Sequence, residues 1–249
     1  MKIELSNRVA LVTDASTEIG QAICIQLAES GATVIGLLKT DEEIKSLNTI
    51  FQTSGQNITL LPADILDFEN CTLLVKQIES EFENIDIVVN NSDVKMKAKF
   101  TELDQQQWQN VVHSNLDPAF NLCRQISEGM SERGFGRIIN ISSIYARMGL
   151  AEQSAYAASK AGLHGFTMAL AQELARKGVT VNTVSPGQIR DKEIENMPAE
   201  DANNLLMNIP ASRFGEVEDV ASLVDFLCSQ NAGYITGNDI AVNGGQYIH

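Results

Sequence analysis

Short β-branched apolar runs alternate with stretches of helical periodicity along nearly the whole chain. Seven runs read as strands: Arg8–Thr13, Thr33–Leu38, Ile58–Pro62, Ile85–Asn90, Arg137–Ile141, Thr180–Val184 and Asp239–Val242. Several (VALV, VIGLL, IDIVV, RIINI) are near-continuous in apolar residues. A strand covered by helices on both faces needs that pattern, whereas a half-solvated strand alternates. Between the strands Ile19, Ile23 and Leu27 recur at helical spacing, as do Leu73, Ile78 and Phe82 approximately. Residues 104–132 and 153–177 are the two longest helical stretches. Repeated strand–helix–strand units imply right-handed crossovers and a parallel sheet. The predicted fold is α/β: one Rossmann-like doubly wound parallel sheet of about seven strands with helices on both faces. No Pro/Gly/Ser-rich linker or break in composition divides the chain, so residues 1–249 read as a single domain. The least periodic stretch, 187–210, is polar and acidic and precedes a helix near 217–228. Ligands in this architecture sit beyond the carboxyl ends of the strands, so 187–210 reads as a substrate lid.

Composition narrows the function classes. The chain has 44% apolar and 20% charged residues, the profile of an ordinary globular protein. Its net charge of −14 argues against a nucleic-acid or anionic-membrane partner. No apolar run is long enough to span a bilayer, and the segment Met1–Arg8 has no apolar core of a secretory signal, so a cytoplasmic location is expected. Cys24, Cys71, Cys123 and Cys228 are far apart and read as buried reduced thiols. His113, His164 and His249 show no ligand spacing, so no metal is expected.

Candidate chemistry gathers around Tyr156 and Lys160, four apart in a helical stretch and therefore on one face. An ammonium beside a phenol favours the phenolate, which draws the tyrosine pKa down and suits it to protonate a carbonyl oxygen. Ser143 follows the strand Arg137–Ile141 and offers a hydroxyl to the same oxygen. Asn115 lies inside a long helix, where asparagine is a poor helix former; by itself it reads by default as an exposed helical amide.

The ordered set Thr13…Gly20, Asn90-Asn91, Asn115, Ser143, Tyr156-Ala-Ala-Ser-Lys160, Pro186-Gly187 and Asn243-Gly244-Gly245 resembles the short-chain dehydrogenase/reductase family from end to end. It looks most like the 3-oxoacyl thioester reductases, and Lys160–Gly187 is similar to the acetoacetyl-CoA reductases. The resemblance implies a catalytic tetrad of Asn115, Ser143, Tyr156 and Lys160. Tyr156 would be the proton donor and Ser143 the partner of the carbonyl oxygen. Lys160 would lower the Tyr156 pKa and hold the nicotinamide ribose, and Asn115 would hold a water leading from Lys160 to solvent. The implied cofactor residues are Thr13, Ser16, Thr17, Ile19, Gly20, Lys39, Asp64, Ile65, Asn91, Tyr156, Lys160, Pro186, Gly187 and Ile189. Ser143, Gln153, Tyr156 and Gln188 would meet the substrate. The implied reaction is NADPH-dependent reduction of a 3-oxoacyl thioester, on CoA or on acyl carrier protein, by a homotetramer. In that assembly helices 104–132 and 153–177 would pair across one two-fold axis, and the last strand and C-terminal tail across another. Arg133, Arg137, Arg176 and Lys177 are candidates for a basic patch near the site's mouth that would receive an acidic carrier.

The cofactor motif departs from that family. Thr-Gly-x-x-x-Gly-x-Gly reads Thr13-Asp14-Ala15-Ser16-Thr17-Glu18-Ile19-Gly20, so two of three glycines are acids. Asn-Asn-Ala-Gly reads Asn90-Asn91-Ser92-Asp93, and Asp191 stands for the threonine after Pro186-Gly187. Asp14, Glu18, Asp93 and Asp191 would all face an anionic ligand. Two like charges about 5 Å apart repel by about 3 kcal/mol at an effective dielectric near 20. An alternative therefore stands beside the reductase: a cofactor-impaired, non-catalytic member acting in binding or assembly. At the end of the second strand Leu37-Leu38-Lys39-Thr40 carries no acid for a ribose, and Lys39 is placed to meet a 2′-phosphate, favouring NADPH over NADH.

Overall fold

The computed structural model describes residues 3–54 and 57–248; Met1, Lys2 and His249, which entered the targeting and metal readings, lie outside them. Strands and helices alternate as β1 (Val9–Val12), α1 (Glu18–Glu29), β2 (Thr33–Leu38), α2 (Asp41–Ser54), β3 (Ile58–Pro62), α3 (Phe68–Phe82), β4 (Ile87–Asn90) and α4 (Gln105–Arg133). The second half continues with β5 (Gly136–Ile141), α5 (Tyr145–Met148), α6 (Ser154–Leu174), β6 (Val179–Pro186), α7 (Lys192–Glu195), α8 (Ala199–Leu206), α9 (Val217–Cys228) and β7 (Asp239–Val242). The seven strands form one parallel sheet in the order β3-β2-β1-β4-β5-β6-β7. Chain direction along the sheet reverses between β1 and β4, and such a switch point opens a crevice beyond the carboxyl ends of the strands.

The continuous apolar runs have a direct structural cause. Successive side chains of a strand face opposite sides, and here both sides are core. Ala10 and Val12 of β1, Val34 of β2 and Ile139 of β5 pack against α1 and α9. Leu11, Ile35 and Ile138, their sequence neighbours, pack on the other side against α3 and α4. All four cysteines are buried and unpaired. Most predicted strands agree with the observed ones to within one or two residues. The largest difference is at β6, which runs on to Pro186 because Thr183–Pro186 pair with β7.

Residues 187–210, read as aperiodic, contain α7 and α8. Asp191 caps α7 by accepting from the Ile194 amide at 2.8 Å, and Glu200 and Asp201 sit in the first turn of α8, where the helix dipole favours acids. Ile194, Ile209 and Phe214 form a small core under them. Among the described residues, no helix is long and apolar enough to cross a membrane.

Beneath the carboxyl ends of the strands runs a buried polar chain. Asn90 of β4 donates to Asn140 of β5 at 2.8 Å, Asn140 donates to Thr167 of α6 at 2.8 Å, and Thr167 meets Thr183 of β6 at 2.8 Å. The chain ties three strands to the helix that carries Tyr156. Asn140→Ala leaves the Asn90 amide with only the weak Cys123 Sγ acceptor and takes from the Thr167 hydroxyl one of its two partners. Urea unfolding is expected to show a loss of about 1–3 kcal/mol, the range for a buried polar group deprived of its partner; a loss below about 0.5 kcal/mol contradicts this account of the chain.

Candidate active site

The turn after β1 retains its shape despite its acids. Asp14 adopts a left-handed backbone, φ 45°, a conformation glycine takes freely and aspartate tolerates better than most residues. Thr17 caps α1 by accepting from the Gly20 amide at 3.1 Å, and its hydroxyl donates to the Asp14 carbonyl at 3.0 Å. The Asn91 side chain donates to Thr17 at 2.9 Å, and its backbone amide donates to the Thr13 hydroxyl at 2.8 Å. These bonds lock the turn to the end of β4. Gly20 is fixed by contact: a Cβ there would lie 2.4 Å from the Asp14 carbonyl oxygen.

An open cleft lies beyond the ends of β1, β4, β5 and β6. Of the implied site residues, it brings together Thr17, Ile19, Asn91, Ser143, Tyr156, Pro186, Gly187, Gln188 and Ile189. A second, smaller hollow beyond β2 and β3 is lined by Leu37, Leu38, Lys39, Ala63, Ile65 and Leu66, among others. The remaining expectations fall elsewhere. Thr13 is buried under the turn, and Ser16 and Asp64 line neither hollow; the Asp64 carboxylate accepts from the Leu66 amide. Gln153, expected at the substrate, does not line the cleft but stands at the start of α6, where its amide oxygen is buried without a partner among the described residues. Asn115 is buried, not exposed. Its amide brackets Val94, accepting from the backbone N–H at 2.7 Å and donating to the carbonyl at 2.8 Å, and it also donates to Ser159 at 3.1 Å. It pins the loop after β4 to α4 and α6.

That loop carries the main departure from expectation. The Tyr156 hydroxyl donates to Asp93 Oδ1 at 2.6 Å, and Lys160 Nζ lies 3.4 Å from the same oxygen. Lys160 has no exposed surface, and it also donates to the carbonyls of Ser92 at 2.6 Å and Ile141 at 3.0 Å. The second Asp93 oxygen pairs with Lys95 at 3.1 Å. The expected softening of the phenol is thus reversed: burial, then the Asp93 carboxylate, push the Tyr156 hydroxyl well above its ordinary range. Burial alone would raise Asp93 too, but Lys160, Lys95 and the Tyr156 hydroxyl outweigh it and hold its carboxyl below the usual value.

The four acids differ in circumstance. Asp14 faces Lys39 at 3.5 Å, Asp93 lies between two lysines, and Asp191 is turned into its capping bond. Glu18, at the start of α1, lines the cleft. Lys39 is therefore beside Asp14 at the second hollow. The expected basic patch is not at the mouth. Arg137 is buried at the start of β5, donating to Ser229 and Gly136 carbonyls, and Arg133, Arg176 and Lys177 lie near the amino ends of β5 and β6, away from the cleft of their own chain. Sequence reasoning missed Tyr145, which accepts from the Gln188 amide in the cleft wall. It also missed a buried array behind Lys160. There Ser142 donates to the Lys160 carbonyl at 3.0 Å and meets His164 at 2.9 Å, and His164 faces Asp239 at 3.6 Å. The spacing of His164 four residues after Lys160 was the one signal for it.

Residues 15–246 match a family profile described as enoyl-(acyl carrier protein) reductase. The chain is 41% identical over 244 residues to an acetoacetyl-CoA reductase of Rhizobium meliloti, covering 97% of this chain and 99% of that one. It is 39% identical to an acetoacetyl-CoA reductase of Allochromatium vinosum, with the same coverage. It is 38% identical over 246 residues to a 3-oxoacyl-[acyl-carrier-protein] reductase of Vibrio cholerae, covering 99% and 100%. A solved structure described as a short-chain alcohol dehydrogenase from Sinorhizobium meliloti superposes with a TM-score of 0.91 at 34% identity, covering 99% and 98%.

Burial raises the Asp14 pKa above its ordinary 3.8, and Lys39 only partly offsets it. A raised folded-state pKa means that ionisation disfavours the folded state: the loss is absent below the unfolded pKa and grows as pH rises toward the folded one. Asp14→Asn preserves the left-handed turn and removes the charge. It is expected to unfold at higher urea than wild type at pH 7, with the difference vanishing below about pH 3.8. Lower stability at pH 7 contradicts the assignment.

Proposed function

The chain belongs to the short-chain dehydrogenase/reductase family, and from that premise we propose that it is an NADPH-dependent reductase of 3-oxoacyl thioesters, acetoacetyl-CoA-like or carrier-linked. The observation that carries this reading is the convergence of Ser143 and Tyr156 on one cleft, with Lys160 buried directly behind them. The relatives described as acetoacetyl-CoA and 3-oxoacyl reductases support the substrate class.

The residues present fit a dinucleotide along most of its length. The apolar hollow of Leu37, Leu38, Ala63, Ile65 and Leu66 suits an adenine ring, and Lys39 at its rim suits a 2′-phosphate. Gly20 keeps the helix close to the sheet, and the amino end of α1 favours an anion. Gly187 and Ile189 offer the opposite wall for the nicotinamide end. When bound, NADPH supplies the hydride for the ketone carbon.

The protein's own residues do the rest. Ser143 donates a hydrogen bond to the ketone oxygen and aligns it. Tyr156 gives its proton to that oxygen, and the Lys160 ammonium steadies the phenolate left behind. Gln188 and Tyr145, bonded to one another in the wall, shape the acyl side. The segment 187–210 serves as the lid. Lys95, Lys97 and Lys99 follow one another along the exposed loop after β4, paired with Asp93, Glu152 and Glu102, and exchange those surface partners for the phosphates of CoA or a carrier arm. The homotetramer remains part of this proposal, supported by Phe120 of α4 and Met168 of α6, both half exposed. The cofactor-impaired alternative draws on two observations, the Asp93 carboxylate on the Tyr156 hydroxyl and the Glu18 carboxylate in the cleft at the amino end of α1.

Purified protein is expected to oxidise NADPH in the presence of acetoacetyl-CoA, and Tyr156→Phe to lower kcat by about 10²–10⁴-fold, the usual loss of a general acid. Absence of turnover with short 3-oxoacyl thioesters at saturating NADPH sinks the reading in favour of the alternative. Lys39→Ala is expected to weaken NADPH roughly tenfold and leave NADH unchanged; equal losses for both cofactors contradict the 2′-phosphate role.

A further inference from the structure

We propose that Asp93 is a positioning residue that latches the catalytic pair: in the free protein its carboxylate holds the Tyr156 hydroxyl and the last donor of Lys160, and a bound dinucleotide must turn it out of the cleft. The inference rests on the reductase reading and adds the control of its proton donor.

Lys160 has three N–H donors, and all three have partners: the carbonyls of Ser92 and Ile141 and the carboxylate of Asp93. None remains for a ribose hydroxyl. Tyr156 has one proton, and it is directed at Asp93. Both groups that the reaction needs are therefore engaged by a single side chain, at a position where the family motif has a glycine and no side chain.

The contact is not an accident of a loose loop. Asn91 is tied to Thr13 on one side, and Asn115 brackets Val94 on the other, so the backbone carrying Asp93 is held at both ends. Only the side-chain torsions of Asp93 are free to change. The way out is open. The Asp93 side chain is 32% exposed, and its outer oxygen already pairs with Lys95, which is 47% exposed. A turn about the side-chain bonds releases Tyr156 and Lys160 while the Lys95 pair follows. The charged and titratable groups around Asp93 are Lys95 on its own loop, Tyr156 and Lys160 on α6, Tyr145 on α5, and across the same cleft Glu18, Arg190 and Asp191, with Asp14 acting on Lys160 from the turn after β1.

Two readouts on the whole protein test the latch. Near-ultraviolet absorbance follows tyrosine ionisation, and comparison with Tyr156→Phe isolates the Tyr156 component. In Asp93→Ala that component is expected to move to lower pH by about one unit or more. Asp93→Asn, which preserves the shape and loses the charge, gives a smaller shift in the same direction and serves if the alanine variant folds poorly. Fluorescence titration is expected to show NADPH binding roughly tenfold tighter to Asp93→Ala than to wild type. An unmoved Tyr156 component in both variants, or measurable NADPH binding of equal affinity with and without Asp93, overturns the latch. A shifted Tyr156 with no NADPH binding to any variant leaves the contact standing and defeats the reductase reading instead.

Discussion

A lysine ammonium with no exposed surface sets the terms of this site. A buried charge must be surrounded by acceptors or lose its proton, and Lys160 obtains its three from two segments, the end of β5 and the loop after β4. Ile141 closes β5, Ser92 follows β4, and Asp93 supplies the counter-charge. Ser142 and His164 fix the turn of α6 from which Lys160 projects. The sheet, through the Asn90–Asn140–Thr167 chain, holds those segments in register. Burial lowers the Lys160 pKa and Asp93 pulls it back up, so the ammonium and the carboxylate depend on one another.

The same dependence reinterprets the acids around the cleft. Summed as bare charges, Asp14, Glu18, Asp93 and Asp191 oppose an anionic ligand. In place, two of them face lysines and one is turned into a helix cap. Glu18 and Asp191 still line the cleft as a general electrostatic obstacle, while a specific one appears at Asp93.

Much of this was legible in the residues. Strands covered on both faces announced themselves as continuous apolar runs, and Tyr156, Lys160 and Ser143 were found from their spacing and the end of β5. Helix periodicity could not show that Asn115 is buried, because its reason for burial is a loop distant in sequence. The basic patch failed for a topological reason: Arg137 opens a strand and the site lies where strands close. The substitution at Asp93 was visible, but its direction was not. A side chain's partner depends on the torsions of a loop held by Asn115 and Thr13, and no local pattern encodes them. The segment 187–210 hid two helices because they are too short for periodicity to register.

Crystal structures of the protein free and with NADP⁺ bound test the central claim most directly. The account predicts the Tyr156–Asp93 contact, 2.6 Å here, in the free protein and its loss in the complex, with Asp93 turned outward and Lys160 facing the ribose. Nucleotide bound across an unbroken Tyr156–Asp93 contact would contradict it.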